Sequence, residues 1–343
     1  MTYKKFAVVY GVVLTAFTAY VLLDTFVIPT KYTSATTSQP ITGYSQSIDV
    51  TDETDITLHS LQEDSSTAEI DADSTTDTQI IEDYSQKSMR DTLESNQQAT
   101  EITENSYQDD NITIEMKEYY ENNTKIYVAD IQLNSTDYLK TALASNTYGK
   151  NITQKTSEMA MSNNAILAIN GDYYGAKESG YVIRNGTLYR DYGSSDTDVL
   201  CIYADGHFEI TNSSEKTAQQ LISEGVVQAF SFGPALVEKG QISVSKGEEV
   251  GKAMASNPRT AIGIIDDKHY VFVVSDGRTS ESEGLSLSEL AEFMQSIGVT
   301  CAYNLDGGGS STMYFNGEIV NNPTTSGKTI KERSVSDIVY IGY

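Results

Sequence analysis

The 343-residue chain contains no tryptophan, two cysteines, three histidines and five prolines. Two thiols cannot build a disulfide scaffold or a four-thiolate zinc site, and the scattered histidines show no metal-ligand spacing. A zinc hydrolase therefore lacks its ligands. Basic residues are also scarce, at 23 Lys and Arg against 48 Asp and Glu, so the net charge is -25. No basic footprint for nucleic-acid phosphates exists, and no nucleic-acid partner is expected. The absence of tryptophan argues against a lectin built on indole stacking, although 23 tyrosines offer other rings. What is present suits a folded protein: 39% of residues are hydrophobic, and the length fits about two domains.

Residues 6–28 read FAVVYGVVLTAFTAYVLLDTFVI, with Asp24 the only charge. As a helix this run would rise about 35 Å, enough for a hydrocarbon core of roughly 30 Å. Lys4 and Lys5 precede it, an arrangement that keeps the N-terminus cytoplasmic and sends the rest outside. The segment is longer than the apolar region of a cleaved signal, so residues 1–30 are expected to form a cytoplasmic tip and a transmembrane signal-anchor. A single-pass protein of the cell membrane with an extracellular C-terminal domain follows. Residues 31–118 hold 20 Asp and Glu against 4 Lys and Arg, which accounts for most of the net charge. Thr, Ser, Asp and Gln dominate, and sparse apolar residues cannot offset about 1–2 kcal/mol of backbone entropy per residue. Residues 31–111 are expected to be a disordered acidic stalk, a solvated spacer holding a domain off the membrane.

Beyond residue 112 the pattern becomes short β-rich runs punctuated by turn signals. Asn185-Gly186, Asp205-Gly206 and Asn316-Gly317 each separate two such runs, and AIGIIDDKHYVFVV adds a hairpin turning at Asp266-Asp267. Helical periodicity is clearest in SLSELAEFMQSIG, where Leu287, Leu290, Ala291, Met294 and Ile297 form one stripe and Ser286 or Ser288 is placed to cap. A second, shorter candidate spans 217–224. Residues 112–343 are thus expected to be α+β, with a mainly antiparallel or mixed sheet and a few helices. Cys201 and Cys301 both lie in apolar strand-like runs, where buried free thiols are the common outcome, though an exported domain also permits their pairing.

Three segments carry residues suited to chemistry. Residues 304–313, NLDGGGSSTM, put Asp306 at a strand end before Gly307, Gly308 and Gly309, with Ser310 and Ser311 as hydroxyl donors. Consecutive glycines can leave amides open to an anion, and no P-loop lysine is present. AILAINGDYYG ends an apolar run in Asn170, Gly171 and Asp172, residues that suit either a polar ligand or a turn. NPRTAIGI places Arg259 at a strand entrance, and VVSDGR ends another strand with Asp276 and Arg278, guanidinium forks that match phosphate oxygens. No twelve-residue calcium loop occurs, so no cofactor is expected, with Ca²⁺ the one metal that the carboxylates suit.

INGDYY, FSFGPALVEKG, NPRTAIGI, VVSDGR, GLSLSELAEFM, NLDGGGSSTMYFNG and RSVSDIV occur in that order. Together they resemble the phosphodiester glycosidases, the family of the mannose 6-phosphate uncovering enzyme and of bacterial exopolysaccharide biosynthesis proteins, over roughly residues 112–343. Here Asp172, Tyr173 and Tyr174 follow Gly171, where the family's commoner form has Gly-Gly-Phe-Phe after the asparagine. The resemblance implies hydrolysis of a sugar joined through its anomeric carbon to a phosphodiester, on cell-surface polysaccharide or wall polymers. In that reading Asp306, Arg259, Asn170, Asp172 and Asp276 are the catalytic candidates. Gly307, Gly308, Gly309, Ser310, Ser311, Arg278 and Arg333 are the candidates for binding substrate or phosphate. A carboxylate would serve the oxocarbenium-like transition state, with Asp306 first choice, and positive donors would serve the leaving phosphate. The competing class is a non-catalytic surface module that binds glycan or phosphoglycan.

Overall fold

The computed structural model describes residues 3–32, 99–193, 197–249 and 256–343. Most of the expected stalk, 33–98, lies outside the described residues. Among the described residues all the strand pairs are antiparallel, and they assemble one nine-stranded sheet, two five-stranded sheets and a two-stranded ribbon. The α+β reading with a mainly antiparallel sheet holds.

The large sheet runs, edge to edge, through Gln241–Ile242, Ala235–Glu238, Cys301–Asn304, Arg259–Asp266, His269–Ser275, Thr124–Leu133, Ile112–Glu121, Ser106–Asp109 and Ala99–Ile102. One face packs Ile114, Tyr127, Ile262, Phe272 and Tyr303 into a core shared with Leu200 and Phe230 of one small sheet and Leu167, Ile169 and Val339 of the other. The opposite face carries Val128, Ala261, Val271, Val273 and Ala302 against the helix Leu287–Ser296. Covered on both sides, the central strands are apolar at successive positions, as in the VFVV run. Ser286 caps that helix in a capping box with Glu289, and Leu287, Leu290, Ala291, Phe293 and Met294 are buried, each larger side chain contributing roughly 1.5–3 kcal/mol. Ile297, expected in the stripe, sits just past the last turn and is only partly buried.

One five-stranded sheet orders Thr187–Arg190, Val182–Arg184, Val226–Phe230, Asp198–Tyr203 and Phe208–Asn212; the other orders Glu318–Ile319, Met313–Phe315, Leu167–Asn170, Asp337–Ile341 and Leu139–Leu143. The expected short helix is Ala218–Ser223, capped by Thr217. A further helix, Thr156–Ser162, buries Met159 and Ala160 on the second small sheet; its seven residues are too few to show a period in sequence. Asn185-Gly186 and Asn316-Gly317 both take positive φ at each residue, the two-residue hairpin geometry. At the other two turns the details differ from expectation: only Gly206 is left-handed after Asp205, and the Asp266 hairpin takes its positive φ at Lys268. Both cysteines are free, Cys201 buried in a small sheet and Cys301 partly buried in the large one.

Strands that precede residue 112, from Ala99 on, also belong to the large sheet. Ser106–Asp109 and Ala99–Ile102 extend the large sheet as edge strands, with Tyr107 and Asp109 turned inward. Asp109 accepts from the Tyr107 hydroxyl at 2.6 Å and from the amides of Asn111 and Ile112 at 2.8 Å each. An edge strand that buries one residue in two reads as polar in composition, which hides it among the acidic residues.

The N-terminal helix is Tyr3–Phe26, and the ribbon after it pairs Thr30–Lys31 with Gly149–Lys150. Among the described residues no helix is long and apolar enough to cross a membrane.

Candidate active site

Four strand ends meet around Asn170. Its Nδ2 donates to the Asp306 carbonyl at 2.6 Å, and its Oδ1 accepts from Thr260 Oγ1 at 2.9 Å and from the Thr312 amide at 3.2 Å. The side chain is fully buried, so these contacts make it the clamp between the segments. Asn170, Asp306 and the Arg259 strand meet through Thr260, the neighbour of Arg259. Pro258 closes the other side by accepting the Gly308 amide at 2.7 Å.

The glycine run forms a single 3-10 turn, Gly308–Ser310, following Cys301–Asn304. Three amides of this segment are bonded within the fold: Gly308 donates to Pro258, Ser310 to Gly307 and Ser311 to Gly308. Side chains supply the polarity. Asp306 Oδ2 accepts from Ser310 Oγ at 2.5 Å and from Arg333 Nη2 at 3.2 Å, and Arg333 Nε donates to Ser310 Oγ at 3.0 Å. The Asp306 side chain keeps 12% exposure and that of Arg333 keeps 40%, which makes this pair the open end of the cluster. Burial raises the Asp306 carboxyl above its usual range, opposed by Arg333, Ser310 and Lys177.

Arg278 sits beside the turn in a left-handed conformation, its Nη1 donating to the Thr325 carbonyl at 2.6 Å and its Nη2 to Asn257 Oδ1 at 2.9 Å. Burial first, then the charges of Arg333 and Arg259, disfavour its protonated form. Three guanidinium groups thus crowd one glycine turn, an arrangement that an anion would relieve. Arg259 is buried, with Nε donating to the Leu285 carbonyl at 2.7 Å and Nη2 paired with Glu249 Oε2 at 2.6 Å. Its fork already holds a carboxylate, a partner that the sequence pattern did not reveal.

The other two carboxylates are more deeply buried than Asp306. Asp276 accepts from the Asn322 amide at 2.8 Å, from Asn322 Nδ2 at 2.9 Å and from the Tyr127 hydroxyl at 3.2 Å, and so fixes the segment after the hairpin. Asp172 accepts from the Tyr174 amide at 3.1 Å and meets Arg184 Nη2 at 3.0 Å. Arg184 also donates from Nε to Asp337 Oδ2 at 2.8 Å, completing a buried triad of one guanidinium and two carboxylates. Burial, together with the charge of Asp172, pushes Asp337 up to about 7 against the pull of Arg184. Gly171 permits this packing, because a Cβ there would lie 2.4 Å from Asp337 Oδ1. Ser311 is fully buried, and its Oγ finds no hydrogen bond among the described residues.

Sequence reasoning missed Arg184, Asp337, Thr260, Glu249 and Lys177. Two of them carried a signal: a charge closing the apolar strand Val182–Arg184 and a charge opening Asp337–Ile341 need buried partners. Lys177 is half-buried with its Nζ 4.5 Å from the Phe232 ring centroid, and the charges of Asp172 and Asp306 oppose the desolvation that lowers it. Among the described residues no group of three or more His, Cys, Asp or Glu is placed to hold a metal. A separate concavity of about 330 Å³, lined by Lys117, Tyr119, Asp130, Ile265, Val271 and Ile297 among others, shares no residue with this cluster.

Residues 163–342, which contain Asn170, Arg259, Arg278, Asp306 and Arg333, match a family model described as phosphodiester glycosidase. The chain is 29% identical over 201 residues to the SPbeta prophage-derived protein YomE of Bacillus subtilis (strain 168), covering 57% of this chain and 31% of that one. It is 30% identical over 173 residues to the N-acetylglucosamine-1-phosphodiester alpha-N-acetylglucosaminidase of Mus musculus, covering 46% and 33%. These matches span about a third of each relative's length. Among solved structures, the fold is similar to the catalytic domain of the zebrafish N-acetylglucosamine-1-phosphodiester alpha-N-acetylglucosaminidase, auto-inhibited by its pro-peptide, with a TM-score of 0.54 at 20% identity over 68% of this chain and 83% of that one.

Proposed function

The chain belongs to the phosphodiester glycosidase family, and on that premise we propose that its folded domain hydrolyses the bond between a sugar's anomeric carbon and a phosphodiester oxygen. The observation that carries the reading is the open pair of Asp306 and Arg333 joined through Ser310. A phosphate leaving group is already acidic, so its departure depends on stabilising negative charge more than on protonation. Arg333, with Arg278 beside the same turn, supplies that charge. Asp306 faces the sugar as the carboxylate that steadies positive character at the anomeric carbon or activates the attacking water. Water's oxygen joins that carbon, the C–O bond to phosphorus breaks toward phosphate, and the products are a free sugar and a phosphate monoester.

Membrane attachment and an extracellular site belong to the same reading. Lys4 and Lys5 precede the apolar run, and Val12, Val13, Leu14, Phe17, Leu22 and Leu23 stand exposed around the helix, surface that water disfavours and lipid accepts. The substrates are then phosphoglycans of the cell surface.

The test is sugar release from a synthetic sugar-1-phosphodiester or UDP-N-acetylglucosamine by purified protein, beside an Asp306→Asn variant. Release that stops in the variant while its melting temperature holds supports the proposal. Binding of the phosphoglycan without release by the parent protein would overturn it in favour of a non-catalytic binding module.

A further inference from the structure

The residues that leave the N-terminal helix do not lead straight away from the domain. Thr30–Lys31 pair antiparallel with Gly149–Lys150, and the Tyr32 amide donates to the Tyr148 carbonyl at 3.0 Å. The Tyr32 ring lies 5.8 Å from that of Tyr148. Asn151, held left-handed, donates its Nδ2 to the carbonyls of Ile28 at 3.1 Å and Thr25 at 3.3 Å. The last carbonyls of a helix lack partners inside it, and here the domain supplies one. Gly149 is shaped to the contact: a Cβ there would stand 2.1 Å from the Thr30 carbonyl oxygen. Asn151 also donates its amide to the Gly175 carbonyl at 3.0 Å, so the ribbon is tied to the loop that carries Asp172.

From these contacts we infer that Thr30–Lys31 are a structural strand of the domain and pin it at the membrane surface, so that the acidic segment does not set its distance from the bilayer. The inference rests on the membrane reading of residues 6–28. Between the helix end at Phe26 and the strand at Thr30 lie three residues, a reach of about 10 Å. A free linker from residue 33 to residue 98 would instead hold the domain at a root-mean-square distance of roughly 45 Å. With Tyr32 and Ala99 in the same folded unit, both ends of that segment return to the domain. The site then acts on sugar phosphodiesters presented close to the bilayer.

The experiment uses the full chain in isolated membranes with Thr30→Cys and Lys150→Cys combined, a pair directly opposite in the ribbon. Mild oxidation followed by mass spectrometry should find positions 30 and 150 joined by a disulfide in most molecules, a link that neither single variant can make, because cross-strand Cα separations of about 5 Å suit a disulfide. Adding Gly149→Val should cut that yield about tenfold by forcing the strands apart, and Asn151→Gly should lower it while keeping the backbone conformation. The melting temperature of each variant checks that the domain remains folded. A yield in the membrane-bound chain no higher than with Gly149→Val added overturns the pinning. Full cross-linking in a chain that washes off the membrane overturns the membrane reading, and the close approach with it, while the strand pairing stands.

Discussion

Asn170 and Asp306, 136 positions apart, are joined by a 2.6 Å hydrogen bond from the asparagine Nδ2 to the aspartate carbonyl. The bond fixes the backbone of Asp306 and leaves its carboxylate to Ser310 and Arg333. In the proposed mechanism Asn170 is a positioning residue that acts through the Asp306 backbone.

Asn170→Ala should cost about 2–4 kcal/mol, because it strands the Thr312 amide and the Asp306 carbonyl in a dry interior. Chemical denaturation measures the loss. Asn170→Asp should be worse, since it replaces the donor facing the Asp306 carbonyl with an acceptor and buries a charge.

The pH dependence of kcat/KM should report Asp306. Burial already raises its carboxyl, and Arg333 opposes that rise. Removing the guanidinium in Arg333→Ala should move the acidic limb to higher pH, in addition to weakening phosphate binding. An acidic limb that stays in place would show that another group controls it.

Stability should fall as pH rises from about 4 to about 7, because the native state keeps a proton on Asp337 that the unfolded chain has released. The sign follows from a folded value above the unfolded one: the contribution is complete at low pH and lost through neutrality. Asp337→Asn should flatten that slope in urea midpoints taken across the range. Asp172→Asn should shift the slope to lower pH by removing the neighbouring charge that helps to raise Asp337.

A chain beginning at residue 112 should be less stable than one beginning at residue 99 by about 2–4 kcal/mol, the worth of burying Tyr107 and of the bonds made by Asp109. Thermal melts of the two fragments decide this. Equal melting temperatures would show that the two edge strands add nothing.

Arg259 was expected to clamp phosphate, and its Nη2 pairs with Glu249. Glu249→Gln should lower the melting temperature by leaving a buried guanidinium with a neutral partner, and activity per folded molecule should change little if the pair is a support. A large loss of kcat with unchanged stability would instead return Arg259 to the substrate.

The amino-acid sequence by itself determined what is local. Asn-Gly turns at 185–186 and 316–317 follow from the tolerance of those residues for positive φ, and the capping box at Ser286 and Glu289 spans a single helical turn. The order of the motifs likewise marked Asp306 and its glycine turn. Which carboxylates are open and which are sealed was decided only by the tertiary structure. Arg184 reaches Asp337 across 153 positions and Thr260 reaches Asn170 across 90, contacts set by how separate sheets pack and not by any short-range preference. The same holds for Thr30–Lys31, a two-residue strand with no pattern of its own, which becomes part of the domain because Gly149 leaves room for its backbone.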